Sequence, residues 1–202
     1  MIIGVTGNIA AGKTEVCDIL RNCFGVHIIN ADDVGHDILI NNKKVKQALI
    51  NSFGVQILND IGNISRKKLG EIVFRDSAAL EFLNNTVWPY LIYEIDEQLQ
   101  RAKKIFQTII LEAALILEWN ARNRVNVLVT VYADDEIRMR RYIRDTGMDE
   151  IEASLRFASQ KPQEQKKAEA DYCIENNGTL EELKENTVKV WENISAVHNK
   201  QV

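Results

Sequence analysis

An octapeptide near the start of the chain constrains the fold more than any other feature of the sequence. Residues 7–14 read Gly-Asn-Ile-Ala-Ala-Gly-Lys-Thr, a full match to the phosphate-binding pattern G-x-x-x-x-G-K-[ST]. Its two glycines allow backbone dihedrals and a close approach that a Cβ atom would block, so the intervening N–H groups can surround a phosphate. The motif predicts a nucleoside triphosphate site. Its candidate nucleotide-binding residues are Gly7, Ala10, Ala11, Gly12, Lys13, Thr14 and Glu15.

The two ends of this motif carry the side chains that the chemistry needs. Lys13 supplies a cation for the β and γ oxygens, and Thr14 supplies a hydroxyl ligand for Mg²⁺. The base-reading N-K-x-D pattern of GTPases does not occur in the sequence. We therefore expect ATP and Mg²⁺ as cofactors.

The sequence on either side of the motif predicts a βαβ unit. Residues 1–6 form a short apolar run without alternation, which is typical of a parallel strand buried on both faces. An amphipathic helix is predicted over 15–23, because Val16, Ile19, Leu20 and Cys23 recur at helical spacing. A second strand is predicted over 26–29. Strand, helix and strand within about 30 residues form such a unit, with a right-handed crossover.

Further strands are predicted over 105–111, 125–132 and 172–175, with helical patterns between and after them. Residues 31–104 are helical and more polar, and Pro89 should break or kink their last helix near residues 87–88. The fold class is therefore α/β, a three-layer P-loop core with a parallel sheet and an inserted helical segment. We assign residues 1–30, 105–144 and 168–202 to the core, 31–104 to the insertion and 145–167 to a lid.

Composition excludes several other classes of protein. With 46% hydrophobic and 27% charged residues, the 202-residue chain is not intrinsically disordered, and its net charge of −4 gives no footprint for nucleic acid. No apolar run approaches the roughly 20 residues of a membrane-spanning helix. Cys17, Cys23 and Cys173 show no metal-binding spacing, so we expect buried thiols in a reducing compartment, the cytoplasm. We expect a small-molecule substrate, no nucleic acid or membrane partner, and a monomer or weak homo-oligomer.

Two acidic positions are candidates for chemistry at the ends of strands. Glu112 ends the predicted strand 105–111 and could orient Mg²⁺ through water, although a surface glutamate at a strand end is the alternative. Asp32 follows the second strand, where ligands of open α/β sheets bind. Its carboxylate could accept a proton from an attacking hydroxyl, with His36 four residues on along the same helical face. The alternative for Asp32 is a helix N-cap.

A run of arginines later in the chain suits phosphate oxygens. The residues are Arg138, Arg140, Arg141 and Arg144, of which Arg140 and Arg144 share a helical face. We predict that Arg140 stabilises the transferring phosphoryl group and that Arg144 binds the nucleotide. The polar segment that follows, with Gln160, Lys161, Lys166 and Lys167, is consistent with a mobile lid. A solvated charged face is the alternative.

These residues resemble the dephospho-CoA kinase family, over essentially the whole chain. The matching motifs are residues 3–14, Asn30-Ala31-Asp32 with His36, Gly62 with Arg66, Leu69 and Phe74, residues 115–118, Arg124-Val125, residues 156–172 and Asn176-Asn177-Gly178. The resemblance implies ATP-dependent phosphorylation of the ribose 3′-hydroxyl of dephospho-CoA, the last step of coenzyme A biosynthesis. It also implies a P-loop core with an inserted helical substrate domain, which binds the CoA moiety, and a lid. Asp32 matches the family's catalytic aspartate, and the implied substrate-binding residues are Asp32, His36, Arg66 and Glu118.

The sequence departs from the family's pattern at several positions. Asn30 replaces an Asp, Trp88 replaces a common His, Ala114 replaces a Pro, and Glu112 replaces an Asp. Two alternatives therefore stay open beside a dephospho-CoA kinase: a nucleoside or nucleotide kinase of similar architecture, and a divergent ATP-binding paralogue without turnover.

Overall fold

A five-stranded sheet forms the centre of the computed structural model, which describes residues 1–198. The strand order is β2-β3-β1-β4-β5, and β1 pairs in parallel with β3 and β4, as β4 does with β5. The strands are β1 (Ile2–Thr6), β2 (His27–Asn30), β3 (Ile109–Glu112), β4 (Val127–Tyr132) and β5 (Tyr172–Glu175). This architecture confirms the predicted α/β fold.

Strand β1 lies in the middle of the sheet because its residues are apolar enough to be covered on both faces. All five of its residues are buried, as the run without alternation predicts. Ile3 and Val5 pack in one cluster with α1 (Lys13–Phe24) and α9 (Leu180–His198). The rings of Phe24 and Trp191 stack at 4.7 Å between those two helices. Burying each large aliphatic side chain here contributes about 1.5–3 kcal/mol.

The chain divides into two compact units, residues 1–29 with 101–198 and residues 30–100. The first contains the sheet and the helices α1, α6 (Asp135–Thr146), α7 (Glu150–Ala158), α8 (Gln163–Glu169) and α9. The second contains α2 (Ala31–Asn41), α3 (Lys43–Phe53), α4 (Arg66–Val73) and most of α5 (Ser77–Ala102). Helices α7 and α8, which the predicted lid over 145–167 would contain, belong to the first unit. The lid therefore stays a prediction.

Two local expectations about these elements are wrong. Helix α5 runs through Pro89 without the predicted break, because a long helix with Leu91, Ile95 and Leu99 buried on one face tolerates one missing backbone hydrogen bond. The alternative of a kink stays a prediction. Strand β3 begins at Ile109 rather than at Ile105, whose side chain is 76% exposed, since the partner strand β1 begins only at Ile2.

The cysteines also differ from expectation. Cys17 is buried as predicted, but Cys23 and Cys173 are exposed, and all three thiols are free. None of the helices described, from residue 1 to residue 198, is long and apolar enough to cross a bilayer.

Candidate active site

The phosphate loop connects β1 to α1 through two glycines whose conformations other residues rarely adopt. Gly7 has φ 149° and Gly12 has φ 95°, and a Cβ atom on either would collide with the Val131 carbonyl oxygen or the Asn176 amide, respectively. Helix α1 begins directly after Gly12, and no described side chain caps it. Its first N–H groups and its positive end are therefore directed to an anion.

Thr14 and Glu112 meet at the start of α1. The Thr14 hydroxyl donates to Glu112 Oε1 at 2.7 Å, and Glu112 is the last residue of β3. Glu112 is only 5% exposed, which excludes the alternative of a surface glutamate.

Burial, followed by the nearby Glu112 carboxylate, raises the pKa of the Cys17 thiol well above its ordinary value, so this thiol stays protonated.

Polar side chains also fix the loop from within. Lys13 Nζ donates to the Asn8 carbonyl oxygen at 3.3 Å. Asn176, the residue after β5, is buried, and its Nδ2 donates to the Ala11 carbonyl oxygen at 2.9 Å. The loop is therefore held by a contact from the end of β5, two strands away from β1, as well as by contacts within the motif itself.

Helix α6 presents its arginines in two different ways. Arg138 is 4% exposed, and its Nη1 donates to the Ile9 carbonyl oxygen at 3.0 Å. Arg140, the residue predicted to act on the phosphoryl group, is exposed, and its Nε donates to the Glu136 carbonyl oxygen of its own helix at 3.4 Å. Arg138 therefore contacts the phosphate loop, and the predicted role of Arg140 at the phosphoryl group stays a prediction.

A cavity of about 230 Å³ lies beside the phosphate loop. Its lining includes Ala10, Gly12, Glu15, Arg141, Arg144 and Asn176. Arg141 Nη1 is buried and has no hydrogen-bond partner among the residues described. Because a buried donor without a partner is costly, this guanidinium indicates a place for an acceptor group of a ligand.

A buried ion pair lies behind the segment that follows α7. Lys166 is 0% exposed, and its Nζ donates to the Ala114 carbonyl oxygen at 2.6 Å and to Glu118 Oε1 at 2.8 Å. Burial lowers the pKa of Lys166, and the hydrogen bond and charge of Glu118 oppose that shift. Glu118 Oε1 also accepts the Lys161 N–H at 3.0 Å. The structure places Glu118 in this pair, and its predicted contact with substrate stays a prediction.

In the second unit, the residue that caps α2 is not the candidate catalytic aspartate. Asn30 Oδ1 accepts the backbone N–H groups of Asp32 at 2.8 Å and Asp33 at 3.2 Å. Asn30 is therefore the N-cap, which excludes the alternative that Asp32 serves as the cap. Asp32 and His36 are exposed one turn apart on α2, and Arg66 is exposed at the first position of α4.

Comparison with known proteins decides the family. A family model described as dephospho-CoA kinase matches residues 1–182. The dephospho-CoA kinase of Enterococcus faecalis is 34% identical over 190 residues, covering 94% of each chain, and that of Aquifex aeolicus is 35% identical over 193 residues, covering 96% of this chain and 97% of its own.

The chain belongs to the dephospho-CoA kinase family. The solved structure of the Campylobacter jejuni dephospho-CoA kinase is similar over 98% of both chains, with a TM-score of 0.71 and 29% identity. Membership of this kinase family implies ATP as the phosphate donor and a small-molecule acceptor.

Three of the four departures from the dephospho-CoA kinase pattern fit the structure. Asn30 caps α2 through its side-chain oxygen, the role that an Asp would also fill. Glu112 still hydrogen-bonds Thr14. Ala114 contributes its backbone carbonyl oxygen, which accepts from Lys166 and from the Thr6 hydroxyl. Trp88 lies half-buried within α5, and nothing in the structure explains its presence.

Some contacts of the loop were not predicted from the sequence. Asn8 and Ile9 occupy variable positions of the phosphate-binding pattern, so the pattern carries no signal for their partners Lys161, Gln160 and Arg138. Asn176 could have been found, because it directly follows a parallel strand at the edge where Glu112 also lies.

Proposed function

We propose that this protein transfers the γ-phosphoryl group of ATP to the ribose 3′-hydroxyl of dephospho-CoA, giving coenzyme A and ADP. The observation that carries the proposal is the phosphate loop, built around Gly7 and Gly12 and opening onto the uncapped α1, in a chain that matches the family model over residues 1–182. In the reaction the 3′-oxygen forms a bond to the γ-phosphorus, the bond from that phosphorus to the β,γ-bridging oxygen breaks, and ADP leaves.

The first unit supplies the nucleotide site in this proposal. The first N–H groups of α1 and the Lys13 ammonium bind the phosphates, since both offer positive charge to oxygen atoms. Arg141 and Arg144 line the cavity beside the loop and bind the rest of the nucleotide. Arg140 retains its proposed role at the phosphoryl group, where an exposed guanidinium on α6 neutralises charge.

The same unit offers a donor set that suits Mg²⁺. Thr14 Oγ1 and the Glu112 carboxylate are hard oxygen ligands 2.7 Å apart. Mg²⁺ keeps several waters and phosphate oxygens as its other ligands, so a small protein donor set suits it. When bound, Mg²⁺ neutralises phosphate charge. Thr14 would hold it directly and Glu112 through water.

The acceptor side of the proposal depends on exposed side chains of the second unit. Asp32 takes the proton of the 3′-hydroxyl, because its carboxylate is exposed at the start of α2 while Asn30 serves as the cap. His36 and Arg66 bind the substrate phosphates. Glu118, in the first unit, completes the set of proposed substrate-binding residues.

We also propose that the protein acts in the cytoplasm, as a monomer or weak homo-oligomer and without nucleic acid. The free thiols of Cys17, Cys23 and Cys173 support a reducing compartment. The net charge of −4 supports the absence of a nucleic-acid partner.

An acceptor panel tests the proposed reaction. The purified full chain is incubated with ATP and Mg²⁺, and release of ADP is followed with dephospho-CoA, with a set of nucleosides and nucleotides, or with no acceptor. We expect ADP release that requires dephospho-CoA, and loss of that release in Lys13→Met. Release with a nucleoside instead would establish the alternative kinase, and tight ATP binding without release would establish a binding protein without turnover.

A further inference from the structure

Two side chains from separate elements hold the same residue of the phosphate loop. The Ile9 backbone N–H donates to Gln160 Oε1 at 2.8 Å, and Arg138 Nη1 donates to the Ile9 carbonyl oxygen at 3.0 Å. Arg138 lies in α6, while Gln160 follows the end of α7. Both backbone polar groups of Ile9 are therefore satisfied by side chains, although the loop has no regular secondary structure there.

The segment that carries Gln160 is itself fixed on its other side. Asn8 Nδ2 donates to the Lys161 carbonyl oxygen at 3.0 Å. The Lys161 N–H in turn donates to Glu118, which is paired with the fully buried Lys166. Residues 160–161 thus connect the loop to a buried ion pair, and Gln160 holds Ile9 from a fixed position.

Burial of the Arg138 guanidinium costs desolvation free energy, and a role in stability alone does not explain why a charged side chain is buried there. Its guanidinium is almost fully buried, it donates to Asp135 Oδ1 at 2.6 Å, and its Cζ lies 4.7 Å from the centre of the Phe157 ring. Its Nε is buried without a hydrogen-bond partner among the residues described. An apolar side chain of similar volume would avoid that desolvation, so the contact that Arg138 makes with the loop needs a functional reason.

We propose that Arg138 and Gln160 are positioning residues that clamp Ile9 and hold the phosphate loop in its nucleotide-binding shape before ATP arrives. The clamp fixes Ile9 at its N–H and at its carbonyl, so the following loop N–H groups need not be ordered when the triphosphate binds. Such preorganisation improves affinity by reducing the entropy lost on binding. The inference rests on the proposed function, because it takes the triphosphate of ATP as the ligand of this loop.

The test compares nucleotide affinity among variants of the full chain. Gln160→Met and Arg138→Met each remove one hydrogen bond to Ile9 and keep a side chain of similar bulk. Arg138→Met also removes the hydrogen bond to Asp135 and the contact of the charge with the Phe157 ring. Dissociation constants for the non-hydrolysable β,γ-imido analogue of ATP, with Mg²⁺, are measured by calorimetry without an acceptor. We expect each variant to bind about tenfold more weakly. The exposed Arg21→Met is the matched control for loss of charge, and it should bind within twofold of the parent.

Two further variants test whether both side chains act through hydrogen bonds to the same residue. Arg138→Lys keeps a donor and should recover most of the affinity. In the double variant, Arg138→Met with Gln160→Met, both changes release the same residue, so the loss should be well below the product of the single losses. A double variant that loses the full product, about a hundredfold, would overturn the clamp by showing two independent contributions.

A structural role alone gives a different result. Both methionine variants would then melt at lower temperature but bind the analogue as the parent does, and that outcome overturns the proposal. The acceptor is tested separately by turnover of the parent with dephospho-CoA. A parent that binds the analogue but does not phosphorylate dephospho-CoA overturns the proposed acceptor and leaves the clamp to the affinity data, whereas a parent that binds no analogue overturns both.

Discussion

The phosphate-loop region and the start of α2 carry chemistry in contrasting ways. Around the loop, the functional groups are backbone atoms and buried side chains, such as Glu112 and Asn176, each held by a named partner. At the start of α2, Asp32 and His36 are exposed, and the capping is done by Asn30. In the first region, the groups proposed to bind ATP are held by contacts that also support the fold. In the second, the residue proposed as the base, Asp32, is not the residue that caps the helix.

The largest expected effect tests that separation at Asp32. Asp32→Asn should lower turnover with dephospho-CoA by about 10²–10⁴-fold, because an amide cannot accept the proton of the attacking hydroxyl. The affinity for ATP and the free energy of unfolding should stay near those of the parent. Steady-state kinetics and chemical denaturation measure these quantities. Asp33→Asn removes the same charge from the next exposed position of α2 and is the matched control. Equal turnover in Asp32→Asn and the parent would contradict the assignment.

The next largest effect lies in the first unit, at the buried ion pair. Lys166→Met leaves the Glu118 carboxylate without its partner, and we expect a loss of about 3–5 kcal/mol in the free energy of unfolding. Urea denaturation measures the loss. Lys184→Met, at an exposed position of α9, should change the free energy of unfolding by less than about 0.5 kcal/mol. Equal stability of the two variants would show that the pair does not support the fold.

The same pair predicts a dependence on pH. Burial lowers the pKa of Lys166 below its ordinary value of 10.5. Between the lowered pKa and 10.5, the unfolded chain binds a proton that the folded chain has released, so this lysine's contribution to stability rises with pH. The difference in free energy of unfolding between the parent and Lys166→Met should therefore grow as the pH approaches 10.5. A difference that shrinks over this range would contradict the stated direction of the shift.

A smaller loss of stability is expected from Gly12→Ala, which introduces both backbone strain and a steric clash. The residue has φ 95°, and the new Cβ atom would meet the Asn176 amide, so we expect a loss of about 1–3 kcal/mol in stability together with weaker ATP binding. Gly25→Ala is the control for strain, since Gly25 has φ 65° with no atom within 4 Å of the new Cβ. Thermal unfolding and calorimetry compare the two. Equal losses of stability would show that the contact with Asn176 carries no weight.

The smallest effect tests the cap of α2. Asn30→Ala should cost about 1 kcal/mol in the free energy of unfolding, because two backbone N–H groups lose their acceptor. Asn30→Asp keeps an acceptor and should be as stable as the parent, which would show that this departure from the family is structurally neutral. Chemical denaturation of both variants measures the difference. A loss of similar size in Asn30→Asp would contradict the capping role.

Features that depend on neighbouring residues in the sequence were predicted correctly, whereas features that depend on distant residues were not. The phosphate-binding pattern and the apolar run 1–6 predicted the first strand, the loop and α1, because each depends on neighbours in the sequence. The ends of β3 and the continuity of α5 through Pro89 were predicted wrongly, since both depend on packing between distant segments.

In the site, contacts between distant residues were not predicted. The spacing of the arginines predicted that Arg140 and Arg144 share one face of α6. The contacts of Arg138 with Ile9 and with the Phe157 ring are evident only from the structure. The choice between a buried and a surface Glu112 was likewise open until β3 had a position in the sheet. A single sequence does not show which residues far apart in the chain contact each other.

Identification of the product decides whether this protein phosphorylates the ribose 3′-hydroxyl of dephospho-CoA. The full chain is incubated with dephospho-CoA, ATP and Mg²⁺, and the products are analysed by phosphorus NMR and mass spectrometry. We expect one new phosphomonoester, on the 3′-oxygen of the ribose, formed in equal amount with ADP. Recovery of unmodified dephospho-CoA, or a phosphate on any other oxygen, would contradict it.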